Sequence, residues 1–281
     1  VIPGRFVRAR GSNLREGDPV LPPGTPITPG ALGTLATFGL TRPSVYRQVR
    51  VAVVVTGDEV VAAFRRPAPA QIRDANGWIM EGFVRGLPWA TLLSRTHAPD
   101  RVMPGVDPLR EALRTGLDTA DVLLVSGGVS AGHDDRVRPL LEGLGVRVLF
   151  HGVRSRPGRP LLAGVRGEGG TVVLGLPGNP VSVLACLRRF GLPLLRRRAG
   201  WATPVPPVGQ LPLSAPVEAD PILDRLLPAE LDPDAGEAPR LRLVPFTGSG
   251  DLGAAARADG LVEIPAGAAG VGPFAFHSWT P

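Results

Sequence analysis

The strongest pattern along the chain is a set of short apolar runs, each followed by residues that include glycine. The runs occupy residues 51–55, 121–125 and 171–174. Aliphatic runs without polar alternation are typical of strands buried on both faces of a parallel sheet. Helical patterns lie between and after the runs, at residues 75–86, 108–116, 137–144 and 181–198. The alternation predicts an α/β domain with a doubly wound, mostly parallel sheet over residues 49–200.

The segments on either side of this domain have a different pattern. Residues 1–48 are rich in Pro and Gly and contain one helical pattern, at residues 29–38, which Gly39 closes. We interpret them as a short N-terminal β-rich linker segment. Residues 201–281 start with a Pro-rich linker and continue as short strand-like pieces between Gly and Pro, which predicts a small C-terminal β domain.

Composition and charge narrow the possible partners. A hydrophobic fraction of 43% with 20% charged residues suits a globular protein, and 5% aromatic residues disfavours a protein that stacks nucleic-acid bases. All 31 basic residues are arginine, and the net charge is +6. The longest basic run, residues 196–198, ends a predicted helix, where it complements the helix dipole. We therefore expect an anionic small-molecule ligand and no nucleic-acid partner.

The single cysteine and the lack of long apolar segments indicate a cytoplasmic protein. Cys186 lies in an apolar stretch and is predicted to be a buried small hydrophobic residue, so no disulfide framework is expected. No apolar run approaches the roughly 20 residues of a membrane helix, and no signal-peptide pattern is present. We expect no membrane association.

The loop after the first apolar run carries two acids. In an open α/β sheet, ligands bind beyond the carboxyl ends of the strands, and this loop reads Thr56-Gly57-Asp58-Glu59. Glycine lets the backbone approach a ligand closely, and the two carboxylates suit a metal or a positioned water. The alternative interpretation is an ordinary turn with a helix cap.

The loop after the second run is rich in glycine and serine and ends in two acids. It contains Ser126, Gly127, Gly128, Ser130, Asp134 and Asp135. Free backbone N–H groups before a helix attract an anion, whereas the two Asp residues would repel a bare phosphate unless a cation such as Mg²⁺ bridges them. The spacing matches neither a dinucleotide-binding fingerprint nor a Walker loop. We infer a site for phosphate together with a metal.

The third loop is stiffened by proline and lies downstream of an arginine turn. The loop contains Pro177, Gly178, Asn179, Pro180 and Ser182, of which Asn179 suits a helix cap and Pro180 the first helical turn. In the turn, Arg156 and Arg159 present two guanidinium groups suited to phosphate or molybdate, although a solvated turn is the alternative. The four histidines show no zinc-ligand spacing, and no G-x-S-x-G elbow is present.

The motifs together resemble a known family. In chain order they are TGDE, the pair Asp74 and Asn76, SGGVSxG followed by Asp, a PGxP turn, and LPGNPVS. This series resembles the molybdopterin molybdenumtransferase family, which includes MoeA and the E domain of gephyrin. The resemblance extends over nearly the whole chain, to residues 246–250 and 258–261, and implies a chain that lacks the family's N-terminal part.

The resemblance implies a reaction and a homodimer. Such enzymes insert molybdate into adenylylated molybdopterin with Mg²⁺, yielding molybdenum cofactor and AMP. By position, the resemblance and the loop chemistry make Asp58, Glu59, Asp135, Arg156 and Arg159 the catalytic candidates, with Glu59 and Asp135 as metal ligands. The pterin and molybdate candidates are Thr56, Gly57, Ser126, Gly127, Gly128, Ser130, Asp134, Pro177, Gly178, Asn179, Pro180, Ser182 and Ser249.

Three departures from the family pattern keep a second function open. Both lysines of the family's Lys-Pro-Gly-Lys-Pro turn are arginine here, Asp107 is displaced from the family's acidic position, and the front of the family chain is missing. The alternative is a weakly active or inactive homologue that binds molybdopterin or the finished cofactor. Molybdopterin adenylyltransferases and competence-damage nucleotide hydrolases share related loops, but the third loop and the C-terminal β domain argue against both.

Overall fold

The fold consists of an α/β domain followed by a smaller β domain. The computed structural model describes residues 4–129, 135–206, 208–236 and 238–279. Its helices are α1 (Pro29–Thr37), α2 (Asn76–Arg85), α3 (Pro108–Thr119), α4 (Val137–Gly143), α5 (Pro180–Cys186), α6 (Leu192–Arg198) and α7 (Leu252–Arg257). Its strands are β1 (Val49–Thr56), β2 (Val60–Val61), β3 (Ile72–Arg73), β4 (Ala90–Ala98), β5 (Val122–Ser126), β6 (Val146–His151), β7 (Ser155–Arg156), β8 (Leu162–Arg166), β9 (Thr171–Leu176), β10 (Gly209–Leu211), β11 (Asp224–Leu231), β12 (Leu241–Leu243), β13 (Gly260–Ile264) and β14 (Phe274–Ser278).

The central sheet has six strands in the order β4-β1-β5-β9-β8-β6. The first four are parallel neighbours, and β8 pairs antiparallel with both β9 and β6. The predicted doubly wound, mostly parallel sheet is thereby confirmed. Strands β4, β6 and β8 were not predicted, because their mixed polar and apolar residues do not form an unbroken run.

Helices cover both faces of the sheet because successive strand residues point to opposite sides. Val51, Val53 and Val55 pack on one face with residues of α2, α5 and α6, whereas Ala52 and Val54 pack on the other with residues of α3 and α4. Burial on both faces explains why β1 and β5 read as continuous apolar runs.

The N-terminal segment differs from its prediction. Between residues 4 and 48 the structure contains α1 and no strand, so the expected β-rich character is wrong. Helix α1 forms as predicted, with Pro29 at its start and Ala31 N donating to the Thr28 hydroxyl at 3.2 Å. The prolines around it lack the N–H that a strand ladder requires, which accounts for the irregular backbone.

The helical run from Pro180 to Arg198 contains a π-helical turn at Leu187–Gly191. Pro193 lies just beyond this turn, and a proline removes one backbone donor, which favours a local change of helical hydrogen bonding. Cys186 is buried beside the turn, as predicted. No helix within the described ranges is long and apolar enough to cross a membrane.

The C-terminal β domain forms a sheet in the order β10-β14-β13-β11-β12 and carries the short helix α7. It is joined to the α/β domain by the parallel pairing of β7 with β11. A second junction is ionic, since Glu263 Oε2 lies 2.8 Å from Arg189 Nε and 2.7 Å from His277 Nε2. The two domains therefore share both a sheet and a largely buried charge cluster.

Asp121, which directly precedes β5, holds the start of β1 and the residues before it. Its carboxylate contacts Arg47 NH1 at 2.5 Å and accepts a hydrogen bond from Arg50 N at 2.9 Å. The hydrogen bond from Arg47, followed by those from Arg50, holds the pKa of Asp121 well below its usual range. The group therefore contributes stability above its unfolded-state pKa, and this contribution is lost as the pH falls.

We expect Asp121→Asn to lower the free energy of unfolding by about 1–3 kcal/mol at pH 7, the range for removing a partly buried charge partner. The difference from wild type should shrink as the pH falls below about 4. Urea denaturation of both proteins at pH 7, 5 and 3.5 measures this difference in the free energy of unfolding. The control is Asp118→Asn, which removes an exposed partner of Arg166 and should change stability by less than about 1 kcal/mol. Equal effects of the two variants would contradict the assignment.

Candidate functional site

The predicted loops meet at one edge of the central sheet. Strands β1, β5 and β9 are parallel neighbours, with Val55 opposite Ser126 and Ser126 opposite Leu176. The loops that follow the three strands are therefore adjacent. Gly127 has φ +93°, and a side chain there would overlap the carbonyl oxygen of Thr56, so only glycine allows this close contact.

The second and third loops are joined by hydrogen bonds. Gly127 N donates to Leu176 O at 3.3 Å, and the buried Ser126 hydroxyl donates to Pro177 O at 3.2 Å. The side-chain nitrogen of Asn76, the first residue of α2, donates to both Ser126 Oγ at 2.9 Å and Gly178 O at 2.7 Å. Asn76 belongs to a motif noted in the sequence, but its position between two loops could not be predicted from it.

The first loop is fixed by the segment after β4. Asp58 Oδ1 accepts from Asp100 N at 3.0 Å and Arg101 N at 3.3 Å, and the Thr56 hydroxyl donates to the Asp100 carboxylate. Glu59 is exposed and lies over Gly57, where an added Cβ would come within 2.8 Å of Glu59 Oε2. One oxygen of Asp58 is thus already occupied, whereas Glu59 remains accessible to a ligand.

Asp135 is the most perturbed acid of the site. Burial, with a further contribution from the nearby Asp100 carboxylate, raises its pKa to about 6, although Val137 N donates to Oδ1 at 3.3 Å. Its other oxygen is buried and has no partner among the described residues. Ser130 and Asp134, which were also predicted to belong to this site, lie outside the described residues.

Asp107 has two structural contacts. It accepts from Arg110 N at 3.2 Å as the cap of α3, and its second oxygen lies 2.5 Å from Arg136 NH2. Asp100, by contrast, faces the first loop and interacts electrostatically with Asp135. Asp100 was missed in the sequence because it follows β4, a strand that the apolar pattern did not predict.

A second part of the site is an arginine-lined cleft between the two domains. The cleft has a cavity volume of about 730 Å³, and its lining includes Arg156, Arg159, Arg225, Asn179, Ser182 and Ser249. Within the described residues, neither Arg156 nor Arg159 has an ion-pair partner, and both are exposed. Arg225 comes from β11, and its Nε is buried with no partner in the described part of the chain. Sequence reasoning missed Arg225 because nothing distinguishes it among 31 basic residues.

The arginine turn rests on Cys186. Gly158 has φ +109°, and an added Cβ would lie 2.8 Å from the Cys186 sulfur. Burial raises the pKa of the Cys186 thiol to about 12, so the sulfur stays protonated and acts as packing. Gly158 is therefore required both by its backbone conformation and by its contact with this side chain.

The third loop contacts the C-terminal domain. Asn179 is the N-cap residue of α5 and Pro180 its first residue, as predicted. The Asn179 side chain, however, forms no cap hydrogen bond and donates instead to Ser249 Oγ at 2.8 Å, while Val181 N donates to Ser249 O at 2.9 Å. The third loop thus connects the acid-and-glycine part of the site with the arginine cleft.

The described part of the site offers few metal ligands. Within the described ranges, no three His, Cys, Asp or Glu side chains are close enough together to hold a metal ion. Among the described residues, the candidate metal ligands are Asp135, which has one buried oxygen without a partner, and the exposed Glu59. Such a pair suits a cation that keeps water and substrate oxygens among its ligands, as Mg²⁺ does.

Family models match both domains. The model for the probable molybdopterin binding domain matches residues 52–197, more than half of the chain, and that for the MoeA C-terminal region (domain IV) matches residues 210–273. The chain belongs to the MoeA family of molybdopterin-binding proteins.

Three curated relatives are each named as a molybdopterin molybdenumtransferase. The chain is 29% identical over 280 residues to molybdopterin molybdenumtransferase of Synechocystis, an alignment that covers 99% of this chain and 67% of the relative. It is 32% identical to molybdopterin molybdenumtransferase 2 of Mycobacterium tuberculosis, with 94% and 64% covered. For the Nostoc enzyme of the same name the identity is 33%, with 73% and 46% covered. The chain thus spans about half to two thirds of the length of these relatives.

A solved structure shares the fold of this MoeA-family chain. The molybdopterin biosynthesis MoeA protein from Pyrococcus horikoshii superposes with a TM-score of 0.73 at 26% identity, covering 93% of this chain and 62% of its own. The similarity includes both the α/β domain and the C-terminal β domain, since nearly the whole chain is aligned.

We expect Asp135→Asn to stabilise the protein. The raised pKa means that the folded state favours the protonated acid, so the wild type loses stability as the pH rises from about 4 through 6. Asparagine avoids this cost, and after allowance for partial solvent screening the gain at pH 8 should be about 1 kcal/mol.

Thermal and urea unfolding at pH 8 and pH 4 measure the change, which should vanish at the lower pH. The matched control is Asp234→Asn, at an acid whose side chain is 84% exposed and which should show no such pH-dependent gain. A loss of stability in Asp135→Asn at pH 8 would show that other interactions offset the cost of burying the charged Asp135.

Proposed function

We propose that this MoeA-family chain acts in molybdenum cofactor biosynthesis as a molybdopterin molybdenumtransferase. In the proposed reaction, molybdate is inserted into adenylylated molybdopterin with Mg²⁺, and AMP is released. The observation that carries the proposal is that the loop of Pro177 to Asn179 bonds at one end to Ser126, in the glycine and serine loop, and at the other to Ser249, which lines the arginine cleft. The shared name of the curated relatives supports the same reaction.

The arginine cleft supplies the charge that an oxyanion substrate requires. Guanidinium groups donate in a fixed fork that matches tetrahedral oxyanions such as molybdate and phosphate. Arg156, Arg159 and Arg225 line one cavity, and the Ser249 hydroxyl is placed on the same surface by Asn179. We assign molybdate to this cleft.

The acid and glycine loops suit the pterin nucleotide. Thr56, Gly57, Ser126, Gly127 and Gly128 lie at the carboxyl ends of β1 and β5, where ligands of open α/β sheets bind. Ser130, Asp134, Pro177, Gly178, Pro180 and Ser182 complete the proposed binding residues. With a pKa of about 6, Asp135 can hold a proton or a cation near neutral pH, which suits a group that acts at the cleaved pyrophosphate.

Glu59 and Asp135 are the proposed ligands of Mg²⁺. The buried, unpartnered oxygen of Asp135 is an available ligand position, and Asp58 orients the neighbouring backbone. When bound, Mg²⁺ would neutralise charge on the phosphates beside the bond that breaks. The proposal also extends to a homodimer in the cytoplasm, and light scattering of the purified chain tests the dimer.

A catalytically weak binder of molybdopterin or molybdenum cofactor is the second candidate function. It is favoured by Asp107, which is engaged with Arg110 N and Arg136 and so does not face the acid cluster freely. The arginines that replace the family's lysines favour it as well, because the two side chains are not equivalent at a tight site.

The first test is AMP release from adenylylated molybdopterin with Mg²⁺, with and without molybdate. We expect release in the wild type that requires molybdate, and a loss of about 100-fold or more in Asp135→Asn, the scale of removing a general acid or base. The higher stability expected for this variant separates lost chemistry from lost folding. Tight binding of the nucleotide without AMP release would favour the binder instead.

The second test changes the cleft. We expect Arg225→Gln and Arg159→Gln to weaken molybdate binding by about 10- to 100-fold each, because a charged hydrogen bond is worth about 1.5–3 kcal/mol. Isothermal titration with molybdate and with tungstate measures the affinities. Arg154→Gln, an exposed arginine that does not line the cleft, is the control and should bind as the wild type does. An unchanged affinity in Arg225→Gln would remove this residue from the site.

A further inference from the structure

The carboxamide of Asn76 has a fixed orientation. Its nitrogen donates to Gly178 O at 2.7 Å and to Ser126 Oγ at 2.9 Å. A carbonyl oxygen can only accept, so the nitrogen must face Gly178, and both of its hydrogens are used. The orientation of the amide oxygen follows from this, because the amide group is planar.

That oxygen is unpartnered among the residues that the structure describes. Asn76 Oδ1 is buried, and no donor in the described part of the chain bonds to it. Leaving a buried acceptor unsatisfied costs about 1–3 kcal/mol, so an unpartnered oxygen between the second and third loops requires an explanation. A helix cap is not the explanation, because Asp74 Oδ1 already accepts from Gly77 N at 2.7 Å in the first turn of α2.

Contacts with strand β4 hold the first turn of α2 in place. Arg95, on β4, lies 3.6 Å from Asp74 and 3.0 Å from Glu81, and its guanidinium stacks on Trp78 at 4.0 Å from the ring centroid. Asp74 in turn holds the backbone next to Asn76. The amide is therefore positioned before any ligand arrives, which lowers the entropic cost of a directed contact.

We propose that Asn76 recognises the pterin by accepting a hydrogen bond from one of its N–H groups at Oδ1. The proposal rests on the proposed function of the site. Phosphate and molybdate oxygens are acceptors, so an amide oxygen beside the carbonyls of Pro177 and Gly178 repels them and favours a donor. The amino and ring N–H groups of a reduced pterin supply such donors.

This assignment divides the site by hydrogen-bonding chemistry. The corner around Asn76 offers acceptors and takes the heterocycle, whereas the cleft around Arg156 and Arg225 offers donors and takes the oxyanion. The Nδ2 contacts also make Asn76 a positioning residue, since they fix the second and third loops relative to each other.

The test compares three probes, namely adenylylated molybdopterin, AMP alone and molybdate alone, by isothermal titration against the full chain. We expect Asn76→Ala, which removes the accepting oxygen, to weaken the binding of adenylylated molybdopterin about 10-fold or more. AMP and molybdate affinities should change less than about two-fold. Asn179→Ala is the matched control, because its amide bonds to Ser249 beside the oxyanion cleft and should affect molybdate instead.

The outcomes separate this proposal from the proposed function. Unchanged binding of adenylylated molybdopterin to Asn76→Ala would overturn the role of Asn76 alone. Equal weakening of all three probes with a lowered melting temperature would assign Asn76 a structural role and overturn recognition. A wild-type chain that does not bind adenylylated molybdopterin would overturn the proposed function itself, and with it the pterin assignment.

Discussion

The parallel pairing of β1, β5 and β9 is the constraint on which the site depends. Because these strands run in the same direction, their carboxyl ends meet at one edge, and residues far apart in sequence become neighbours. Contact between the loops is then so close that Gly127 cannot carry a side chain. The apolar runs that build the sheet therefore also determine where the acids and hydroxyl groups gather.

Two environments result from this arrangement, and electrostatics keeps them distinct. At Asp135, burial raises the pKa, and one carboxylate oxygen has no partner within the part of the chain that the structure describes. In the cleft, no described carboxylate forms an ion pair with Arg156, Arg159 or Arg225, and Asp220 interacts with Arg156 and Arg225 only at longer range. Positive charge is therefore available to an anion. The loop from Pro177 to Asn179 links the two sides, because Pro177 O accepts from Ser126 and the Asn179 side chain donates to Ser249. A heterocyclic substrate on one side and a separate oxyanion on the other would match this distribution.

Much of the architecture could be predicted from the sequence, because the central strands are buried on both faces and leave an unambiguous apolar pattern. Strand β4 could not, since an edge strand with exposed polar residues lacks that pattern, and Asp100 was missed with it. The N-terminal segment was misjudged because proline and glycine indicate turns without specifying strands. Arg225 and the contacts of Asn76 depend on distant partners, which no local pattern encodes.

The pairing of β7 with β11 has a consequence for how this protein can be divided. The two family models match separate stretches of the chain, which suggests modules that could be exchanged. Yet β7 belongs to the α/β part of the sequence and completes the sheet of the other domain, with Arg156 beside Arg225. Cutting the chain at the linker would leave an unpaired strand edge and split the anion cleft between two fragments. The site therefore requires both domains on the same chain.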